Sequence, residues 1–209
     1  MALWEKIGQL GGPPYTAAPS VGLQPFQWWN EATHGASCNG HNTTNFALPI
    51  TTGASFNESL WAATAAHIGR EARACLNAGA GWETFWTPVL NLVRDVRWGR
   101  VLEVPSEDPI QTSVYAAAFV RGIQTAPEDP GSLQVSSTCK HFWGNSLENS
   151  PDPFNKSAPN VTRTTINEAI NQQDAADSYL PGFQACVEDG GASGMMVRGG
   201  SPARVLLCL

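Results

Sequence analysis

The sequence predicts an α/β fold with predominantly parallel strands, an incomplete (β/α)8 TIM-type barrel, and three observations lead there. Apolar runs end abruptly in charged residues, at Glu31, at Arg94 to Arg100 and at Lys140-His141. Stretches of helical periodicity lie between these runs, and strand, polar loop and helix in repetition describe a parallel α/β architecture. The length is the third observation: 209 residues suit one domain, whereas a complete barrel needs about 250. The chain is therefore expected to be one or two βα units short.

The elements follow in order. Met1 to Leu10 reads as an amphipathic helix with Leu3, Ile7 and Leu10 on one face. Gly11-Gly12-Pro13-Pro14 breaks it. Phe26, Trp28 and Trp29 then precede the polar Asn30-Glu31-Ala32-Thr33-His34-Gly35. Residues 35–56 are loop-like, with a short strand expected at Ala47 to Ile50. A helix follows, capped by Asn57, with Leu60, Thr64, Ile68 and Ala72 at i+4 spacing and a stop at Gly79. Phe85 to Val93 forms the next strand. Asp108 caps a second helix and Pro109 fills its first turn, where the missing N–H costs nothing. Its expected apolar stripe is Ile110, Val114 and Ala118. Residues 133–139 read as a strand delivering Lys140 and His141, residues 165–188 as mostly helix, and Ser193 to Val197 as a last short strand.

Composition narrows the partners. A net charge of −6, with 12 Lys plus Arg spread along the chain, argues against nucleic acid, because phosphate binding needs clustered cations. No apolar stretch reaches the ~20 residues of a membrane span, and the N-terminus lacks the regions of a signal peptide. Eight Trp suit a carbohydrate site, since indole faces stack on sugar rings, although core packing uses them too. Five cysteines at positions 38, 75, 139, 186 and 208 have neither C-x-x-C spacing nor the look of a disulfide framework. Four N-x-[ST] sequons, at Asn42, Asn57, Asn155 and Asn160, point to a secreted parent protein. His34, Cys38 and His41 have a spacing that zinc tolerates, but a fourth ligand is absent. No metal and no cofactor is expected.

Glu31, Arg100, Lys140 and His141 are the candidate binding residues. In a parallel barrel the C-terminal strand ends share one rim, so residues more than a hundred positions apart converge. A carboxylate, a guanidinium, an ammonium and an imidazole together suit a polyhydroxyl ligand. They suit phosphate poorly, because Glu31 would repel it and no glycine-rich phosphate loop is present. The competing reading is a structural ion-pair network capping the strand ends, with Arg100 merely paired to Glu103.

The wording of Phe85 to Pro109, with Arg94-Asp95, Arg97-Trp98-Gly99-Arg100 and Glu107-Asp108-Pro109, resembles glycoside hydrolase family 3, the β-xylosidase and β-glucosidase family. The resemblance continues in Trp28-Trp29-Asn30-Glu31 to Gly35, in Ser55-Phe56-Asn57-Glu58, in Cys139-Lys140-His141-Phe142 and in Tyr179-Leu180-Pro181 to Val187. Glu31, where many glucosidases carry Asp, is similar to the β-xylosidase and arabinosidase branch. The resemblance implies a retaining exo-glycosidase acting on β-linked xylosides or glucosides, with Glu31, Arg100, Lys140 and His141 hydrogen-bonding the non-reducing sugar. It also implies that the aspartate nucleophile and the glutamic acid/base lie outside this chain, in the missing C-terminal part of the parent enzyme, so that no catalytic residue is expected here. Trp143 to Ser146 departs from the family wording. Residues 1–197 are thus expected to form a partial barrel, and residues 198–209 a tail that leaves the pattern. The alternatives are a non-catalytic carbohydrate-binding remnant and a hydrolase that recruits Glu103 or Glu148.

Overall fold

The computed structural model describes residues 1–10, 16–129, 131–151, 157, 159–166 and 169–197. The expected tail at 198–209, the Asn155 sequon and Cys208 lie outside the described residues. Helix α1 spans Leu3–Leu10, as its periodicity predicts, but with its faces reversed. Leu3, Ile7 and Leu10 are exposed and Glu5 is buried. The cause lies outside the helix: Ser20 donates its hydroxyl and backbone N–H to the Glu5 carboxylate at 2.6 and 2.9 Å. These bonds satisfy the buried acid and hold it below its usual pKa.

The short strand expected at 47–50 is instead the helix α2, Pro49–Gly53, because Pro49 sits at its first turn with φ already set for helix. Helix α3, Glu58–Asn77, begins where the Asn57 side chain accepts from Leu60 N, and Gly79 follows its end at φ +71°. Its buried stripe is Trp61, Ala65, Ile68, Ala72 and Cys75. Leu60 lies one position off this face and is exposed.

Strand β1 is limited to Thr84–Phe85. The apolar run continues extended beside the next strand, with Lys140 N donating to Pro88 O and Leu90 N to Lys140 O. Pro88 has no N–H to give, which interrupts the regular ladder in this run. Asp108 caps α4, Pro109–Gln124, by accepting from Gln111 N. The stripe expected at Ile110 and Val114 is corrected: both are exposed, and α4 buries Thr112, Tyr115, Ala116 to Val120 and Ile123. Tertiary packing selected the aromatic face.

Strand β2, Ser136–Phe142, begins three residues later than expected, so Lys140 and His141 lie within it. An unforeseen hairpin joins β3, Asn149–Ser150, to β4, Val161–Thr162. The helical region then starts at 172, later than the sequence suggests. It comprises α5, Gln172–Asp174, a π-helical turn Ala175–Tyr179, and α6, Pro181–Glu188. Strand β5, Gly194–Val197, closes the described fold.

The sheet order is β1–β2–β5, all parallel, with Thr84 opposite Ser136 and Thr138 opposite Gly194. Helix α4 packs against both α3 and α6, and Trp61, Ile68, Tyr115, Phe119, Ile123, Phe85 and Phe183 form the shared core. This is the architecture of an incomplete α/β barrel: parallel strands inside, helices outside.

Helices α3 and α4 approach closely because both carry glycine at the crossing. A Cβ on Gly122 would lie 2.6 Å from Ala62 O and 2.8 Å from Ala65 Cβ. Gly122→Ala gains up to about 1 kcal/mol of helix propensity, but forces two packed backbones apart at about 1–3 kcal/mol. The variant is expected to be the less stable, with a lower urea midpoint; an unchanged or higher midpoint would contradict the crossing geometry.

Two disulfides correct the sequence reading of the cysteines. Cys38 bonds Cys75 on α3, and Cys139 on β2 bonds Cys186 on α6, across 37 and 47 residues respectively. Cys38 is thereby removed from the zinc-like spacing with His34 and His41.

Candidate sugar-binding site

Three separated segments build one cavity. Asn30 ties the first segment to β1: its side chain donates to Thr84 O at 3.1 Å, and Trp86 N donates to Asn30 O at 2.9 Å. The strand expected before Glu31 is absent among the described residues; instead these bonds, with Ala32 fully buried beside it, hold Glu31 next to β1. The second segment is the loop after Val93, pinned from below by a small core of Val89, Trp98 and Val104. Arg100 precedes its 3-10 turn, Val101–Glu103. The third is β2, which carries Lys140.

Lys140 is 2% exposed, and its Nζ lies 2.5 Å from Glu31 Oε2. Burial pulls the ammonium below its ordinary pKa, and the charge and hydrogen bond of Glu31 oppose that pull. Arg100 grips Glu103 with two parallel bonds, Nε to Oε1 at 2.9 Å and Nη2 to Oε2 at 2.6 Å. Its Nη1 stands 3.8 Å from Glu148 Oε1. Burial would lower the guanidinium, but hydrogen bonding to Glu103 and the charges of Glu103, Glu148 and Glu31 more than offset it and hold Arg100 above its usual value. Glu148 also accepts from Trp98 Nε1 at 3.4 Å and Arg163 Nη1 at 3.3 Å.

Glu31, Arg100, Glu103, Lys140 and His34 line one cavity of 480 Å³. Three of the four candidates meet there. His141 stands next to it: its backbone N and ring Nδ1 lie 2.9 and 3.2 Å from Asn91 Oδ1, and Asn91 Nδ2 donates to His141 O. Asn91 thus fixes both the strand and the imidazole.

The sequence offers His34 only the role of a metal ligand, yet here it lines the cavity with a buried Nδ1 that has no hydrogen-bond partner in the protein. A buried polar atom of this kind is an available contact for a ligand hydroxyl. Nothing in its local sequence marks that role. Among the described residues no group of three or more His, Cys, Asp or Glu is placed to hold a metal ion, and no helix is long and apolar enough to cross a membrane.

Two cations and two carboxylates in close pairs make a neutral but strongly polar rim. Carboxylate oxygens accept from sugar hydroxyls, while ammonium and guanidinium groups donate to sugar oxygens. A phosphate would meet as much negative as positive charge there.

Residues 17–198 match the model of the glycosyl hydrolase family 3 N terminal domain. The chain is 38% identical over 206 residues to a β-xylosidase/α-L-arabinofuranosidase 1 of Medicago sativa subsp. varia, covering 94% of this chain and 26% of that protein. It is 40% identical to β-D-xylosidase 3 of Arabidopsis thaliana, with the same coverage of each. A glycoside hydrolase family 3 exo-β-xylosidase, solved with a xylobiose aziridine activity-based probe, superposes with a TM-score of 0.80 at 27% identity, covering 96% of this chain and 26% of that one. The chain therefore spans about a quarter of the length of the relatives it matches. It belongs to glycosyl hydrolase family 3, and the parallel sheet and its helices are part of that family's N-terminal domain.

Proposed function

We propose that this chain forms the sugar-recognition part of a retaining exo-glycosidase that acts on β-linked xylosides or glucosides. Glu31, Arg100 and Lys140 bind the hydroxyls of the non-reducing residue, His141 orders the cavity edge, and the two reacting carboxyls come from the remaining three quarters of such an enzyme. The observation that carries this reading is the Glu31–Lys140 pair, 109 residues apart in sequence, beside the Arg100–Glu103 pair in a single cavity. A Glu at position 31 favours xylosides, because its extra methylene relative to Asp occupies space that a glucose hydroxymethyl would need.

Titration calorimetry of the chain with xylose, xylobiose and glucose tests the proposal. Saturable binding of xylose or xylobiose is expected, and Lys140→Met should abolish it, because a donor at the centre of the hydroxyl network is lost while packing volume is kept. Binding that survives Lys140→Met, or none in a chain shown to be folded, would overturn the site assignment. The parent protein is further proposed to pass through an oxidising secretory route, on the strength of two disulfides and exposed sequons.

A further inference from the structure

We infer that Asn57 is an N-glycosylation site whose first sugars cover the cleft beside the helix cap, an inference that rests on the proposed secretory route. Asn57-Glu58-Ser59 is a sequon, and Asn57 is exposed. Its side chain has one structural duty, performed by one atom: Oδ1 accepts from Leu60 N at 3.0 Å and caps α3. The amide nitrogen Nδ2 is not used by the cap. Attachment at Nδ2 leaves a secondary amide that keeps Oδ1 and one N–H, so cap and glycan are compatible on the same residue.

The neighbouring surface shows what the sugar would do. Phe56 is 77% exposed and sits at φ +50°, a region that a bulky residue seldom occupies. With Trp61, Ile110 and Val114 it lines an open cleft of 650 Å³ whose other walls carry Glu58, Glu107 and Asp108, a mixture of apolar surface and hydrogen-bond acceptors that suits a sugar. Ile110 is 73% exposed and Leu60 44%. Phe56 directly precedes the modified asparagine and Glu58 directly follows it, and both line the cleft, so the first sugars would be attached at its mouth. The occupant is thus the chain's own glycan.

The chemistry is a redox-neutral group transfer from a polyprenyl-diphosphate-linked oligosaccharide. The Asn57 Nδ2–C1 bond forms, the C1–O bond to the diphosphate breaks, and one amide proton departs as the lipid diphosphate leaves. Asn42 and Asn160 are also exposed sequon asparagines; Val161, next to Asn160, lines a separate cleft with Trp98, Leu147 and Ile166, and what distinguishes Asn57 is the exposed Phe56 directly before it and the helix cap it forms.

The test expresses the full chain behind a cleavable secretion leader in a eukaryotic host. Leader removal proves entry into the secretory route independently of any sequon. Treatment with peptide N-glycosidase in heavy-oxygen water, followed by peptide mass spectrometry, should report Asn57 converted to labelled Asp. Ser59→Ala retains the cap and Phe56 but destroys the sequon, so it should lose the label at Asn57 alone. It should also be cut faster by chymotrypsin after Phe56 than the glycosylated chain. An unlabelled Asn57 in leader-processed protein would overturn the site. A labelled Asn57 with unchanged cleavage after Phe56 would overturn the covering of the cleft.

Discussion

Offered nitrophenyl β-xyloside, α-arabinofuranoside or β-glucoside, the 209-residue chain is expected to give no turnover above the uncatalysed rate. Retaining hydrolysis requires two carboxyls about 5–5.5 Å apart, one to attack C1 and one to protonate the leaving oxygen. The carboxylates that line the cavity are already committed. Glu31 is bound to Lys140 and Glu103 is clamped by Arg100. Glu148, the other acid considered from sequence, joins Arg100, Arg163 and Trp98 at its edge. A carboxylate held this way suits hydroxyl recognition, not attack on carbon. By analogy with a protease triad, loss of a cooperating catalytic set costs about 10⁶ in rate. Turnover that disappears in Arg100→Ala and Lys140→Met would refute the inactivity; turnover indifferent to both would detach the cavity from hydrolysis.

The division between what was legible in the sequence and what was not follows the range of the interactions. Caps are local chemistry, and Asn57 and Asp108-Pro109 announced α3 and α4 correctly. The faces those helices bury depend on their partners. Leu60 and Ile110 look like core residues in a periodic pattern, yet the structure turns Trp61 and Tyr115 inward instead, where they meet edge to face at 5.4 Å. In α1 a satisfied carboxylate displaced three apolar side chains from the interior, an outcome set by Ser20, ten residues beyond the helix.

The meeting of Glu31, Arg100 and Lys140 in one cavity was more legible than the core, because a parallel topology brings segments far apart in sequence to one side of the sheet. Lys140 reaches the cavity from within β2, while Glu31 and Arg100 reach it from loops, Glu31 through the ties of Asn30 to Thr84 and Trp86. Glu103 was visible as a partner for Arg100 or as a carboxylate that a hydrolase could recruit, and His34 as a metal ligand, since their place in the cavity depends on how the two loops fold back. The disulfides were not legible at all. Each requires Cα atoms brought within about 4.4–6.8 Å, and here that proximity is made by the docking of α3 on the loop at Cys38 and of α6 on β2.

The Glu31–Lys140 pair should respond asymmetrically to mutation, because its two ends see different solvents. The Lys140 side chain is 3% exposed and that of Glu31 is 47% exposed. Glu31→Ala leaves a buried ammonium without its close counter-charge, and breaking a buried pair in this way costs about 3–5 kcal/mol. The outward-facing carboxylate moderates that figure toward its lower end. Lys140→Met replaces the buried cation with an apolar chain of similar volume and leaves Glu31 able to turn to water, so a change within about 1 kcal/mol is expected. Both variants should lose sugar binding.

The pH dependence separates this account from simple loss of packing. Burial already places the folded Lys140 pKa below its ordinary value, and removing Glu31 lowers it further. The unfolded chain, with lysine near about 10.4, then binds the proton more tightly than the folded one. Stability of Glu31→Ala must therefore rise with pH between the folded and unfolded pKa values, and the deficit against the parent should shrink as the pH approaches about 10. Urea unfolding of both variants near neutrality and near that upper limit measures it. A Glu31→Ala deficit that is independent of pH, or a Lys140→Met deficit as large as that of Glu31→Ala, would show that the pair is not the buried charge the geometry describes.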